Sequence, residues 1–559
     1  MKRSLLFLSL FVVAPVLLSA RTQINGKVTT SEDTAPKLAH IHLYPLGKGI
    51  GTDPTRTIQV NSDGTYSLEL ADPGYYQLVV TGVDHSSVSL PLYVTGKEKP
   101  ITLDVALPAF DFDRHPEQVQ IIGDWNNFDF SHADMMERQK DGTFSFTFKT
   151  DKKEIRYQLI GIASNSQGIR SVNAPHSNDY VYDGGGDYRS VIRVNPGEVT
   201  ITFDPADLPA STGNTEPVVQ SSDPEVMKLW EIDYLFNNAN NQFMQVLTVA
   251  QQTDEPINFA EMWRPFGDLM TDFLSEEHSM PVRQFAALTY ARILRYTRDP
   301  NIAFPKKETR SQIKELLPPE SPLWGANPAL ATIVTAFDEA DPNAAIMEVV
   351  RNNPDHAVQG IALSQIAMSE YYSGDKDEAM KHYATLKDKY SDVEEIGYII
   401  TQLNPDKHIQ QGKAIPAFDV QLLGEENTSR VSNTSMKGKF YMLDFWAVWC
   451  GPCRAEMPGL HAAYEEFGGD NFEILSISFD AAPDDVEEYR AKKWAMPWLH
   501  TFAEGNFQSE LAQTFEVTGI PKPILVDPNG TIVAVGEELR GKKLSQTLAR
   551  LLGDGQATR

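Results

Sequence analysis

Two cysteines, Cys450 and Cys453, are the only ones in a chain of 559 residues, and just two residues separate them. Phe440 to Phe445 is expected to form a buried strand bounded by Lys437-Gly438-Lys439. It runs through Trp446-Ala447-Val448-Trp449 into Cys450-Gly451-Pro452-Cys453-Arg454, where a helix should begin. At a helix start the free amide N–H groups and the positive end of the dipole stabilise a thiolate. The first side chain, exposed there, would have a lowered pKa and act as a nucleophile. The second lies one turn on, close enough to attack a mixed disulfide held on the first. The chemistry this allows is thiol-disulfide exchange; the other uses of such a pair are a structural disulfide or half of a metal site. A count of two excludes a disulfide-stapled scaffold and any four-cysteine zinc site.

The rest of the chain must carry and place that pair. At roughly 150 residues per domain the length suggests about three or four domains, and a 41% apolar fraction lets each bury a core. The 49 basic and 76 acidic residues leave a net charge of −27, which argues against nucleic-acid binding because such a polyanion repels phosphate. Residues 1–20 read as an export signal: Lys2 and Arg3, an apolar run from Leu5 to Leu18 broken only by Ser9, then Ser19-Ala20 before Arg21. Export to the periplasm or cell envelope follows, with an uncleaved membrane anchor as the alternative, although the run is shorter than the roughly 20 residues needed to span. No later segment is apolar enough to cross a membrane.

Two all-β segments come next. From 21 to 110 the pattern alternates, as in Tyr66-Ser67-Leu68-Glu69-Leu70, with turns at Ser62-Asp63-Gly64 and Asp72-Pro73-Gly74. This segment resembles the carboxypeptidase regulatory-like β-sandwiches, which implies a spacer or adaptor. His40 and His42 leave the same face of one strand and could pair on a metal, but no third ligand is identifiable, so a solvated strand face is expected. From 111 to 208, Gly123-Asp124-Trp125-Asn126, the Asp141-Gly142 turn, Tyr157-Gln158-Leu159 and Asn173-Ala174-Pro175 resemble the immunoglobulin-like glycogen-binding and early-set sandwiches. That resemblance implies a carbohydrate partner stacked on Trp125; the competing expectation is that Trp125 is core.

From 215 to 408 the period changes to about 3.6 and an all-α region follows. Ala362, Ile366, Ala367 and Tyr371, the Gly374-Asp375 turn, then Ala379, Tyr383, Leu386 and Tyr390 resemble one tetratricopeptide-like hairpin. Trp263 and Trp324 are expected in its core.

The segment 409–555 resembles the TlpA/ResA-like thiol-disulfide oxidoreductases, which implies an α/β thioredoxin fold. Pro416-Ala417-Phe418 and Lys437-Gly438-Lys439 match their leading strands, Pro458 a helix-kinking proline, and Gly519-Ile520-Pro521 a loop whose proline is cis. The long stretch from Asp480 to Phe515, helical around Val486 to Lys493, matches a central insertion. The resemblance implies roles. Cys450 is the nucleophile and Cys453 resolves the mixed disulfide. Asp444 matches the buried carboxylate that exchanges a proton with the resolving thiol, and Glu456 the active-site glutamate; burial should raise the pKa of both. The lysine that faces that aspartate in thioredoxin is absent, since the aligned strand reads Ile474-Leu475-Ser476-Ile477-Ser478. Pro521 leaves the Ile520 backbone free to pair with an extended substrate, and Trp449, Gly451 and Pro452 complete the substrate face.

Gly451-Pro452 is the thioredoxin dipeptide, which leans the couple toward reduction. The expected partners are exported proteins with disulfides and an upstream electron donor; no cofactor is implied beyond the redox-active Cys450–Cys453 disulfide. Two alternatives remain. A peroxiredoxin-like thiol peroxidase would need Thr or Ser where Ala447 stands, and a non-enzymatic envelope assembly protein would use the pair only for regulation.

Overall fold

A computed structural model describes residues 21–96, 99–130, 133–163, 171–172, 179–208, 216–253, 258–294, 305–424 and 429–553. The expected export signal at 1–20 and the Asn173-Ala174-Pro175 match lie outside the described residues. Contacts divide the chain into two compact units, one ending at Ile366 and the other starting at Ala367.

In the first unit, alternation of the Tyr66, Leu68, Leu70 kind turns one face of each strand inward. Two four-stranded sheets share one core that includes Ile24, Ile41, Leu68, Leu78, Leu90 and Leu103. One sheet runs in the order Arg56–Gln59, Ala39–Pro45, Gly74–Gly82, His85–Val94. The other runs Val218–Ser221, Ile101–Ala106, Thr22–Thr29, Thr65–Leu70. Its edge strand corrects the expected boundary: Val218–Ser221 falls in the segment read as helical, yet pairs antiparallel with Ile101–Ala106. Between them the chain builds a separate β region, in which Phe144–Thr150 pairs with Gly197–Phe203 and Glu154–Ile160 with Tyr188–Arg193 and Gln120–Gly123. Val119, Ile121, Phe144, Tyr157 and Phe203 lie in its core.

His40 and His42 are not on a solvated face. His42 is fully buried, and its two ring nitrogens pair with Thr57 Oγ1 at 3.0 Å and Thr81 Oγ1 at 3.1 Å. Tyr188, from the second β region, places its hydroxyl 2.9 Å from Thr81 Oγ1 and 3.0 Å from His40 Nδ1, while Tyr182 stacks on His42. Residues about 140 positions downstream cover this face, which local alternation has no means of signalling. Among the described residues no three His, Cys, Asp or Glu side chains are grouped to hold a metal ion.

Helices then take over, from Pro224–Thr253 to His356–Ser373. Trp263 and Trp324 are buried at 1% and 0% exposure. Among the described residues no helix is long and apolar enough to cross a membrane.

The second unit continues with the helices Lys376–Lys389 and Gly397–Leu403 and a short pair of strands, Asp419–Gln421 and Arg430–Ser432. Its centre is a five-stranded sheet built from β1 (Phe440–Trp446), β2 (Phe472–Ser478), β3 (Leu499–Phe502), β4 (Lys522–Val526) and β5 (Ile532–Val535), in the order β3-β2-β1-β4-β5. β1 runs parallel to β2 and antiparallel to β4. Helices α1 (Gly451–Phe467), α2 (Pro483–Lys492) and α3 (Lys542–Gly553) complete this thioredoxin-like domain. Because β1 is central, six of its seven residues are buried, and its carboxyl end delivers the cysteine loop to the edge of the sheet.

Candidate active site

Cys450 occupies the N-cap position of α1, and its Sγ accepts the Cys453 amide N–H at 3.1 Å. Pro452 falls in the first helical turn, where a missing N–H leaves no bond unmade. Cys450 and Cys453 are joined as a disulfide, the oxidised form of the couple. Cys453 is 1% exposed. Cys450, expected to be open to solvent, is only 5% exposed. Its sulfur is recessed against Cys453 and lies 3.9 Å from the Ile520 carbonyl oxygen. What solvent meets is the rim: Trp449, 58% exposed, with Gly451 and Pro452 also exposed and Ile520 half-buried.

The Ile520–Pro521 peptide bond is cis. Directly after it, Lys522 turns back into the domain and donates to the Phe515 carbonyl at 2.8 Å. Burial pulls its ammonium down to about 8. On the other side of the cysteines, Asp480 anchors the approach loop. It is 3% exposed, accepts the Val448 amide at 2.9 Å, and receives the Ser478 hydroxyl at 2.7 Å. Burial raises its pKa. Beside Trp449 opens a groove of about 500 Å³, walled by Val448, Ala481 and Tyr489 with Lys493 at its rim.

Asp444 is buried at 4% exposure in β1, opposite Ser476 of β2, whose hydroxyl donates to Asp444 Oδ2 at 3.0 Å. Burial pushes the Asp444 carboxyl up to about 6; the Ser476 hydrogen bond opposes this and the charge of Glu456 adds to it. Glu456 itself is engaged at the start of α3: Arg540 Nε donates to it at 3.0 Å and the Gly541 amide at 2.7 Å. The two acids expected to act together therefore differ, one buried on a neutral donor and the other clamped by a guanidinium.

Asp480, Ser476, Arg540 and Lys522 did not emerge from the sequence. A polar residue inside an apolar strand was the available signal for Ser476 and Lys522; Asp480 and Arg540 carry no local mark. In the second β region of the first unit, Trp125 is half-buried, its indole against Phe146 and Phe148 with centroids 5.1 Å and 4.4 Å away, and its Nε1 donates to Asp134 at 2.7 Å.

A family model described as thioredoxin-like matches residues 438–532. The thiol-disulfide oxidoreductase ResA of Oceanobacillus iheyensis is 30% identical over 137 residues, 24% of this chain and 69% of that protein. Tryparedoxin of Trypanosoma brucei brucei is 37% identical over 115 residues, 20% of this chain and 77% of that protein. Among solved structures, the thioredoxin domain of a thiol-disulfide oxidoreductase from Bacteroides vulgatus shares 30% identity, covers 25% of this chain and 96% of its own, and has a TM-score of 0.23.

Proposed function

The chain belongs to the TlpA/ResA-like thiol-disulfide oxidoreductases of the thioredoxin fold and is a protein-disulfide oxidoreductase; from that premise we propose that it reduces disulfides of exported proteins. The observation that carries this reading is the sulfur of Cys450 at the helix start, accepting the Cys453 amide. In the reduced enzyme a thiolate there is held by that N–H and by the helix dipole, which makes Cys450 the attacking group. Cys453, almost without exposure, is reserved for the resolving step.

An upstream electron donor first opens the Cys450–Cys453 disulfide. The Cys450 thiolate then attacks one sulfur of a client disulfide, and the other client sulfur leaves. Asp444 takes the Cys453 proton, and the Cys453 thiolate attacks Cys450 in the mixed disulfide, releasing the client thiolate and re-forming the enzyme disulfide. Two electrons pass from enzyme to client. Trp449, Gly451, Pro452 and Ile520 form the face that meets an extended client segment, and the Gly451-Pro452 dipeptide supports the reductive direction. Lys2, Arg3 and the apolar run after them support export, and the segments before residue 409 serve delivery and docking.

Purified chain should reduce insulin with dithiothreitol as donor, and Cys450→Ala should lower the rate at least about a thousandfold, toward the background of dithiothreitol alone. An unchanged rate rejects the reading. Cys453→Ser should accumulate clients disulfide-linked to Cys450 in the cell envelope; an empty trap would favour a docking protein.

A further inference from the structure

Asp444 is not alone in its pocket. Ser476, 0% exposed, donates to Asp444 Oδ2 at 3.0 Å, and the same hydroxyl oxygen receives Trp498 Nε1 at 2.9 Å. An indole N–H can only donate. The Ser476 oxygen therefore accepts from Trp498, and its single hydrogen is left for Asp444. The chain of donors has one direction, from Trp498 through Ser476 to Asp444. Trp498 is fixed in turn: its ring lies edge-on to His461 and Tyr464 of α1, at 5.0 Å and 5.5 Å, and stacks near His500 of β3 at 6.1 Å.

We propose that Ser476 and Trp498 are positioning residues of the disulfide reduction, holding Asp444 Oδ2 as a permanent acceptor so that the proton from Cys453 goes to Oδ1. A proton on Oδ2 would strand the Ser476 hydroxyl hydrogen in the core without an acceptor, at the full desolvation penalty. In the resolving step the Cys453 S–H breaks, its proton joins Asp444 Oδ1, and the electron pair stays on sulfur. The new Cys453–Cys450 bond then forms as the Cys450–client bond breaks, and the client sulfur leaves with the electron pair. The groups facing Asp444 are Glu456 on α1, Ser476 on β2 and Pro523 opposite it on β4. Of the imidazoles beside Trp498, His500 is held neutral, since burial takes it to about 3, and burial lowers the pKa of His461 as well. Among the described residues no cation pairs with the carboxylate; a neutral hydroxyl, oriented by an indole, stabilises its charged form.

This inference rests on the reading of Asp444 as proton acceptor, and one experiment separates the two. The kcat/KM for insulin reduction by the full chain is measured from pH 5 to 9, with folding checked by circular dichroism. Ser476→Ala removes a bond to the ionised carboxylate, so the acid limb should move up by about one pH unit, a loss of roughly fivefold at pH 6. Trp498→Phe, which frees the hydroxyl to turn, should move it the same way by less. Asp444→Asn should remove the part of the limb that Asp444 sets, leaving the fall caused by protonation of the Cys450 thiolate. A limb that Asp444→Asn leaves unchanged overturns the reading of Asp444 itself. A limb that depends on Asp444 but is the same in Ser476→Ala as in the wild type overturns the positioning role.

Discussion

Two buried polar networks in this molecule obey the same physics and end in opposite states. In the first unit, His42 makes a hydrogen bond at each ring nitrogen, to Thr57 and Thr81, and Tyr188 closes the circuit by bridging Thr81 and His40. Burial takes His42 down to about 4 and lowers His40 as well. In the second unit, burial takes Asp444 up to about 6. Desolvation removes charge from both. His42 is left neutral, with both of its ring nitrogens on hydroxyls and no open end. Asp444 is left close to the point where it gains or loses a proton at neutral pH, and its donor chain runs in one direction only. A closed network serves packing, whereas a directed network that ends on a titrating group serves chemistry.

Four measurements can break or sharpen that contrast. The largest effect should come from Asp444→Asn, which should lower insulin reduction at pH 7 by about 10- to 100-fold without destabilising the fold, as expected when a general base is lost. A loss of stability together with activity would make Asp444 another packing group.

Stability should respond to pH with opposite signs. His42 has a folded pKa below the ordinary 6.5, so its contribution is present above 6.5 and lost as pH falls through about 4. Asp444 has a folded pKa above the ordinary 3.8, so its contribution is present below 3.8 and lost as pH rises through about 6. Acidification from pH 7 to 4 should weaken the first network and strengthen the second by at most about 3 kcal/mol each. Hydrogen exchange in strands Ala39–Pro45 and Phe440–Trp446, corrected for intrinsic rates, would read this; slopes of the same sign would end the comparison. Next, Tyr188→Phe removes the hydroxyl that bridges Thr81 and His40 and should cost about 1–3 kcal/mol in thermal or urea unfolding. Insulin reduction should stay as it is, and a matching fall in rate would show the closed network to be functional. The smallest effect belongs to Glu456→Gln, which removes the charge that helps hold Asp444 high. The acid limb should move down by about half a pH unit or less, opposite to Ser476→Ala.

How far the sequence could be read depends on how local each signal is. Cys450, Cys453 and Pro521 sit in short motifs whose use is decided within a few residues, and the strand before the cysteines was legible from its apolar run. Ser476 stood in view as a polar residue in an apolar strand, but its meaning depends on registering β2 against β1 and on Trp498, 22 residues further on. Arg540 reaches Glu456 across 84 residues. His40 and His42 failed for the same reason: alternation assigns two side chains to one face without saying that Tyr182 and Tyr188 will cover it.

Val218–Ser221 gives the first unit an unusual order of completion. The sheet that starts at Thr22 gains its last strand only after the chain has passed through a whole second β region. A nascent chain emerging amino end first therefore keeps Ile101–Ala106 without its outer neighbour until some two hundred residues have followed the first strand. Until then, that edge is a template for any extended segment nearby. Fragments cut near residue 110 or 208 would retain the exposed edge permanently, so they should associate where the chain carried to Ser221 does not.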